Sequence, residues 1–373
     1  MEGVSLINPD GNILFVRSSH GRSVATTQLL TIWSSVLFSQ SEAELDPISC
    51  ITDSLRIYIL KRKTHTVICW FDKNVNEYYA HRLTDYADKI ILLLLGQDDL
   101  VEIADPRLKK DIRLAYPLLD GLICQIDEVP VWLITDFPVY SLSFSKLPEI
   151  QKQIDFWSDR LETPYVAIVQ DNEIISMKSD FGEQLDYIEI NIIAYCASVY
   201  SDKALVELPV YLYKLAPDNA YRLILIKLFG NTSMVALCGS VTNLTTIKFT
   251  PHDISQLEPL RNFVKGPKGL PPGLIGTLIQ DEAIMKTMLY IRPTKSSLME
   301  NELTEDEIKL NLMSVFRDTK TQNPTHSEFY SARKQYKSYV LKQDNRHIVF
   351  LFSAEVPIYA LQQLANKAAP IFE

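Results

Sequence analysis

Six histidines, five cysteines and one glycine-rich run are the residues from which an active centre could be built. A metal site draws on ligands at recurrent spacings, such as two histidines one helical turn apart. His20, His65, His81, His252, His326 and His347 show neither HxxxH nor HxH spacing, so nothing local supports a metal triad. Ser18, Ser19 and His20 set hydroxyls beside an imidazole, the pairing of an activated nucleophile. Neighbours on an extended segment point to opposite faces, and no GxSxG elbow accompanies them. Cys50, Cys69, Cys124, Cys196 and Cys238 stand at least nineteen positions apart in apolar surroundings, without a CxxC. They read as small buried hydrophobes rather than as zinc ligands, nucleophiles or a disulfide framework. Gly266 to Gly273 reads GPKGLPPG, but Pro271 and Pro272 remove two of the N–H donors a phosphate loop needs, and no GK[ST] follows. That run reads as a linker. Conventional catalysis, a metal and a cofactor therefore find no support, and recognition by a surface becomes the chemistry to look for.

A net charge of −9 argues against nucleic acid, which would require a basic face. The N-terminal MEGVSLINPDG lacks the basic and apolar regions of a secretory signal. The longest aliphatic run, Ile90 to Leu95, is far shorter than the ~18 residues that span a bilayer. A soluble cytoplasmic protein is expected, in which the sequons at Asn231 and Asn243 stay idle. Lys61-Arg62-Lys63 reads as a solvated hairpin turn. Lys109, Lys110 and Arg113 read as a solvated helix face, with contact to an acidic partner or to lipid headgroups as the other reading.

The most unusual stretch is Ser23 to Ser41, nineteen residues without a charge, nine of them apolar and ten Ser, Thr or Gln. At helical spacing Ala25, Leu29, Leu30, Ile32, Trp33, Val36 and Leu37 share one arc, a core-facing stripe. The opposite arc holds Val24, Thr27, Gln28, Thr31, Ser34, Ser35 and Phe38. A solvated face normally carries charge, whereas charge depletion with some apolar side chains marks the centre of a protein–protein interface. This helix is either covered by a partner or packed beneath another part of its own chain. Because one helix face supplies only part of a stable interface, Ile48, Cys50 and Thr52 of the following β-prone run are added as candidate partner contacts.

The elements around that helix repeat. A hairpin over Val4 to Ile7 and Ile13 to Val16, turning at Asn8-Pro9-Asp10-Gly11, precedes it. Strand-like runs Ile48 to Thr52, Leu55 to Leu60 and Thr66 to Phe71 follow, then two helices. The first is striped by Val75, Tyr79, Leu83, Tyr86, Ile90 and Leu94. The second opens at Asp105 and Pro106 and is expected to kink at Pro117. A five-stranded antiparallel sheet with one helix on one face and two on the other satisfies every stripe. After an aperiodic connector over Pro130 to Pro148 and a helix over Ile150 to Leu161, the order starts again. It runs through a hairpin at Asp171-Asn172, a helix over Leu185 to Val199, three strand-like runs from Leu205 to Cys238, and a helix from Pro251 to Val264. A last, trimmed unit lacks the opening hairpin. It has a strand over Met285 to Ile291, a helix opened by the Thr304–Glu307 capping box, a hairpin over Tyr336 to Leu341 and Ile348 to Phe352, and a closing helix from Pro357. The class is α+β, with units at residues 1–127, 163–265 and 276–373, a connector at 128–162 and a linker at 266–275.

Short motifs along the whole chain carry a family resemblance. They are Arg17-Ser18-Ser19 with Gly21, Leu108-Lys109-Lys110-Asp111 with Arg113 and Asp120, Pro209-Val210-Tyr211-Leu212, Arg222-Leu223 and Leu237-Cys238-Gly239. In this order, on this threefold plan, the chain resembles the Fuzzy family of planar-cell-polarity effectors among the tri-longin proteins. The resemblance implies three longin-like domains and pairing with Inturned, another tri-longin protein. It further implies Rab-family guanine-nucleotide exchange by the heterodimer and a place beside a Fritz-like propeller protein in the CPLANE complex. Ciliogenesis, vesicle trafficking, the cytoskeleton and the ciliary base or apical cortex are the setting it implies. In such exchange factors the paired first longin domains form the platform for the GTPase. Two other classes stay open: a scaffold that recruits a small GTPase or vesicle without accelerating release, and a hydrolase using Ser19 and His20.

Overall fold

The computed structural model describes residues 1–19, 26–38, 45–96, 100, 106–124, 131–141, 147–239, 269–292, 303–322, 328–343 and 345–372. In the first unit β1 (Gly3–Ile7) and β2 (Ile13–Ser18) form the opening hairpin, α1 (Thr26–Phe38) follows, and β3 (Leu45–Ile51), β4 (Leu55–Lys61) and β5 (Thr66–Asp72) complete the sheet. Its order is β2-β1-β5-β4-β3, antiparallel throughout. The first turn depends on Gly11, at φ 88°, a left-handed conformation that glycine adopts without penalty. α1 covers one face through Leu29 and Trp33, which pack with Ile7, Ile57, Ile59, Ile68 and Trp70. α2 (Glu77–Leu95) and α3 (Pro106–Cys124) cover the other, as the alternation of strand residues requires. Asn76 caps α2 by accepting from the Tyr78 amide at 2.9 Å. α3 continues through Pro117 as one helix.

The second unit comprises β7 (Val166–Gln170), β8 (Glu173–Met177), α6 (Ser179–Gln184), α7 (Tyr187–Val199), β9 (Leu205–Leu212), β10 (Ala216–Phe229) and β11 (Thr232–Cys238). Asp171 and Asn172, at φ 49° and 67°, make the tight hairpin turn that their short polar side chains favour. A capping box of Asp186 and Glu189 opens α7. The third unit comprises β12 (Leu274–Asp281), β13 (Lys286–Ile291), α8 (Glu305–Gln322), β14 (Glu328–Ala332), β15 (Tyr336–Gln343), β16 (Arg346–Ser353) and α9 (Leu361–Ala368). The strand orders are β8-β7-β11-β10-β9 and β13-β12-β16-β15-β14. All three units thus share one topology, with a helix between hairpin and meander: three longin-like domains.

Two expectations change. The third unit does have an opening hairpin, because β12 pairs with β13 antiparallel from Gly276–Ile291 to Asp281–Lys286. Its first strand follows the Pro/Gly run directly, and Gly276 and Thr277 blur its alternation. β14, only five residues long, also escaped notice. The helix expected over Pro251 to Val264 lies outside the described residues.

The stretch read as a connector joins the units. It contributes α4 (Val131–Ile134), the three-residue β6 (Val139–Ser141) and α5 (Leu147–Leu161). β6 lies between β13 and β8, parallel to both, and fuses the second and third sheets into one of eleven strands. α5 covers the second sheet on the side away from α7, through Ile150, Ile154 and Trp157. Trp132 stands between Tyr86 of α2 and Tyr195 of α7, with ring centroids 4.6 and 5.1 Å away. Asn191 donates to the Tyr86 hydroxyl at 3.1 Å, and that hydroxyl donates to the Trp132 carbonyl at 3.2 Å. Asp136 pairs with Lys320 of α8, accepts from Gln280 of β12 at 3.3 Å and lies 3.8 Å from Arg82 of α2. Side chains from all three units converge on the connector between Trp132 and Asp136.

Candidate partner interface

Helices α1, α7 and α8 occupy equivalent places in the three units, yet their outer faces fare differently. α7 is buried continuously from Ile188 to Ala197, because α2 and α3 of the first unit pack over it. α8 meets the connector and α2, with the Arg317 guanidinium 5.2 Å from the Tyr79 ring. On α1, Thr27, Gln28, Thr31 and Ser35 are exposed and Ser34 is half-buried. Of the two readings of that helix, an uncovered outer face is what the described residues show. Val24 and the Phe38 side chain lie outside them. Leu30, assigned to the buried stripe, is 41% exposed and joins the outer face instead.

Three hydroxyls on this face are already satisfied. Thr31 Oγ1 donates to the Thr27 carbonyl, and Ser34 Oγ and Ser35 Oγ both donate to the Thr31 carbonyl, each at 2.8 Å. An unsatisfied buried hydroxyl costs about 1–3 kcal/mol. Donors held by the helix's own carbonyls escape that penalty when a partner excludes water. With no charge to desolvate either, this is a polar face that can be dried.

β3 extends it. Ile48 pairs with Ile59 and Cys50 with Ile57, and directly opposed residues share a face of the sheet. Ile57 and Ile59 pack beneath α1, so Ile48 and Cys50 lie on the α1 side, beyond the strands the helix covers. Ile48 is 36% exposed and Cys50 is exposed as well. Cys50 thus departs from the buried role expected of the cysteines. Cys69 and Cys196 keep that role, their thiols pushed up to about 12 by burial and so inert. Thr52 lies just past β3 and closes the β3–β4 turn, donating to the Leu55 carbonyl at 3.1 Å and accepting from the Leu55 amide at 3.0 Å. Ile51, 62% exposed, pairs with Arg56 and faces the opposite side. Leu30 and Ile51 were legible only as apolar residues; their exposure depends on the helix phase and the strand register.

Elsewhere the candidate chemistry is structural. Ser19 donates to the Glu2 carbonyl at 3.2 Å, and His20 lies outside the described residues. The Lys61-Arg62-Lys63 turn is not wholly solvated. Arg62 Nε donates to Asp88 at 3.2 Å, and fully buried Asp88 also holds His65 Nε2 at 2.6 Å. Among the described residues no cluster of three metal-ligating side chains occurs.

The motifs scattered along the sequence meet in space. Arg17 of β2 forks onto Asp120 of α3, Nε donating at 2.8 Å, and its guanidinium lies 4.5 Å from the Tyr116 ring. The hydrogen bond to Asp120 raises the Arg17 pKa further. Arg222 stands in register with Pro209 on one side and Cys238 on the other, so three motifs line up across β9, β10 and β11. No family model matches the chain. The Protein fuzzy homolog of Xenopus tropicalis is 21% identical over 339 residues, covering 81% of this chain and 80% of that protein. The Protein fuzzy homolog of Homo sapiens is 22% identical over 407 aligned positions, covering 95% of this chain and 92% of that protein. Similarity to these two proteins runs nearly end to end, over motifs that the fold brings together, and supports the resemblance to the Fuzzy family.

Proposed function

We propose that this chain is a planar-cell-polarity and ciliogenesis effector whose first unit pairs with Inturned through the α1–β3 face. The pair then acts as a guanine-nucleotide exchange factor for a Rab-family GTPase, beside a Fritz-like propeller protein. One observation carries the reading. Among the described residues, α1 is the one of three equivalent inter-strand helices whose outer face is left uncovered; it is uncharged, and Thr31, Ser34 and Ser35 bond their hydroxyls internally. Exchange requires no reacting side chain. It requires enough interface to offset a nucleotide held at nM to pM, about 12–16 kcal/mol. Obligate pairs commonly bury ~2,000 Å² or more, which α1 approaches only with help from Ile48 and Cys50.

Two measurements on the chain co-purified with Inturned test this. Thr31→Arg or Ser35→Arg, both at exposed positions, is expected to abolish co-purification while the chain stays folded; a normal complex refutes the placement. Release of fluorescent GDP from a panel of Rab-family GTPases is expected to accelerate for one member. An intact complex that accelerates none assigns a scaffold role instead.

A further inference from the structure

Among the described residues the two sheets end in four edge strands, and three are guarded. β3 carries Pro47 and a register shift, β9 carries Pro209 and Glu207, and β2 is clamped under α3 by Arg17. β14, with the sequence EFYSA, has no proline and no irregularity in its pairing with β15, and its one charge, Glu328, is held by Gln362 at one end of the strand. Such an edge offers its outer N–H and C=O groups to another strand.

Its surroundings are apolar as well. Tyr330 pairs with Tyr339 and so lies on the α9 side of the sheet, 60% exposed. Lys337 Nζ donates to the carbonyls of Ala354 and Val356, and Gln362 Nε2 donates to Glu328 at 3.0 Å. Residues 354–362 therefore follow the rim from the Ala332 end of β14 to the Glu328 end. They present Ile358 at 48% and Tyr359 at 89% exposure. Charge is divided between the ends: Glu328 opens the strand, while exposed Arg333 and Lys334 form the turn beyond it.

We infer that β14 is a self-pairing edge, joining two copies of this chain antiparallel about a two-fold axis at Tyr330. That register sets Tyr330 against the partner's Tyr330, Phe329 against the partner's Ser331 and Glu328 against the partner's Ala332. Each Glu328 then points toward the partner's Lys334, so both ends are complementary; a parallel pairing would align like charges. A five-residue strand with Tyr330 on it and Ile358 and Tyr359 beside it buries less than the ~1,600 Å² of a standard interface. The dimer is weak and forms at micromolar concentrations.

Sedimentation equilibrium of the full chain carrying Thr31→Arg, which silences the α1 face, tests this from low to several hundred micromolar. Monomer–dimer exchange is expected. Tyr330→Lys, at an exposed position, should weaken it about tenfold or more. Glu328→Lys should weaken it as well, and Glu328→Lys with Lys334→Glu should restore it, because the swap keeps self-complementarity. A monomer throughout, or a dimer indifferent to Tyr330→Lys, overturns the inference. So does a chain that stays monomeric while Tyr330→Lys weakens its binding to a different polypeptide, which would assign the edge to that partner.

Discussion

Replacing Gly121 by alanine in the middle of α3 should destabilise the protein, against the usual preference of helices. Propensity alone favours Ala over Gly by about 1 kcal/mol. Here a Cβ would fall within the van der Waals radius of the Tyr195 hydroxyl and 3.3 Å from its Cζ. Tyr195 is fully buried between α3 and Trp132, and its hydroxyl donates to the Leu118 carbonyl at 3.0 Å. The ring cannot swing into solvent, so α3 is pushed from α7 and the hydrogen bond breaks with it. Overpacking costs about 1–3 kcal/mol and a broken buried hydrogen bond about 1–3 more. Net of the helix gain, the loss is about 3 kcal/mol. Urea unfolding should show it as a lowered midpoint, and hydrogen exchange should accelerate in both α3 and α7. Tyr195→Phe removes the clashing atom, so the double variant should lie within about 1 kcal/mol of Tyr195→Phe alone. If Gly121→Ala proves as stable as the parent, the tight seam between the first and second units does not exist.

Other expectations concern separate sites. Asp88→Ala removes a buried carboxylate that holds both His65 and Arg62, and should cost about 3 kcal/mol in a thermal or urea melt; a loss below about 1 kcal/mol would refute the network's role. Gly11→Ala forces a left-handed residue at φ 88° and sets a Cβ 2.6 Å from the Trp33 ring, so it should cost about 1–3 kcal/mol and loosen α1, read as faster exchange of α1 amides. His347, stacked on Phe316 at 4.6 Å, has its pKa lowered to about 3 by burial, with Lys342 and Lys320 adding repulsion. A depressed basic pKa means that the unfolded chain binds the proton first. His347 therefore contributes stability above pH ~6.5 that is lost at about 1.4 kcal/mol per pH unit on acidification toward 3. Half-buried Glu173 and buried Glu189, whose carboxyl pKa values are raised by desolvation, act in the opposite direction. The comparison is thus between the parent and His347→Gln: the variant should lose less stability between pH 6.5 and 4, and equal slopes would count against the assignment.

Much of this was legible because the apolar periods are clean. The stripe from Leu83 to Leu94, the alternating hairpins and the Thr304–Glu307 capping box each specify their element locally. What escaped was nonlocal. β6 is three residues long and exists only because β13 and β8 offer edges on either side of it. β14 is ordered by pairing with β15, since five residues with one interior aromatic pair encode no period of their own. In the candidate interface, the uncharged face of α1 was readable from side-chain types. That Ile48 and Cys50 share its side of the sheet, while Thr52 closes a turn, follows from a register the sequence does not encode locally.

The three units also show how one topology serves different ends. The helix between hairpin and meander is, in each, the element whose second face the sheet cannot cover. In α7 that face is apolar, Ile190, Ile193, Ala194 and Ala197 among its buried residues, and the first unit's helices cover it. In α8 the corresponding side carries Arg317, which meets Tyr79 of α2, and Lys320, which pairs with the connector residue Asp136. α1 has neither the apolar surface that would bury itself spontaneously nor the charges that would keep it wet. A face of satisfied hydroxyls is tolerable in water when the chain is alone and tolerable in a dry interface when it is not. That intermediate character supports the pairing proposed for this face. Arginine at Thr31 should abolish pairing for this reason: it adds a charge that water accepts and a dried interface does not.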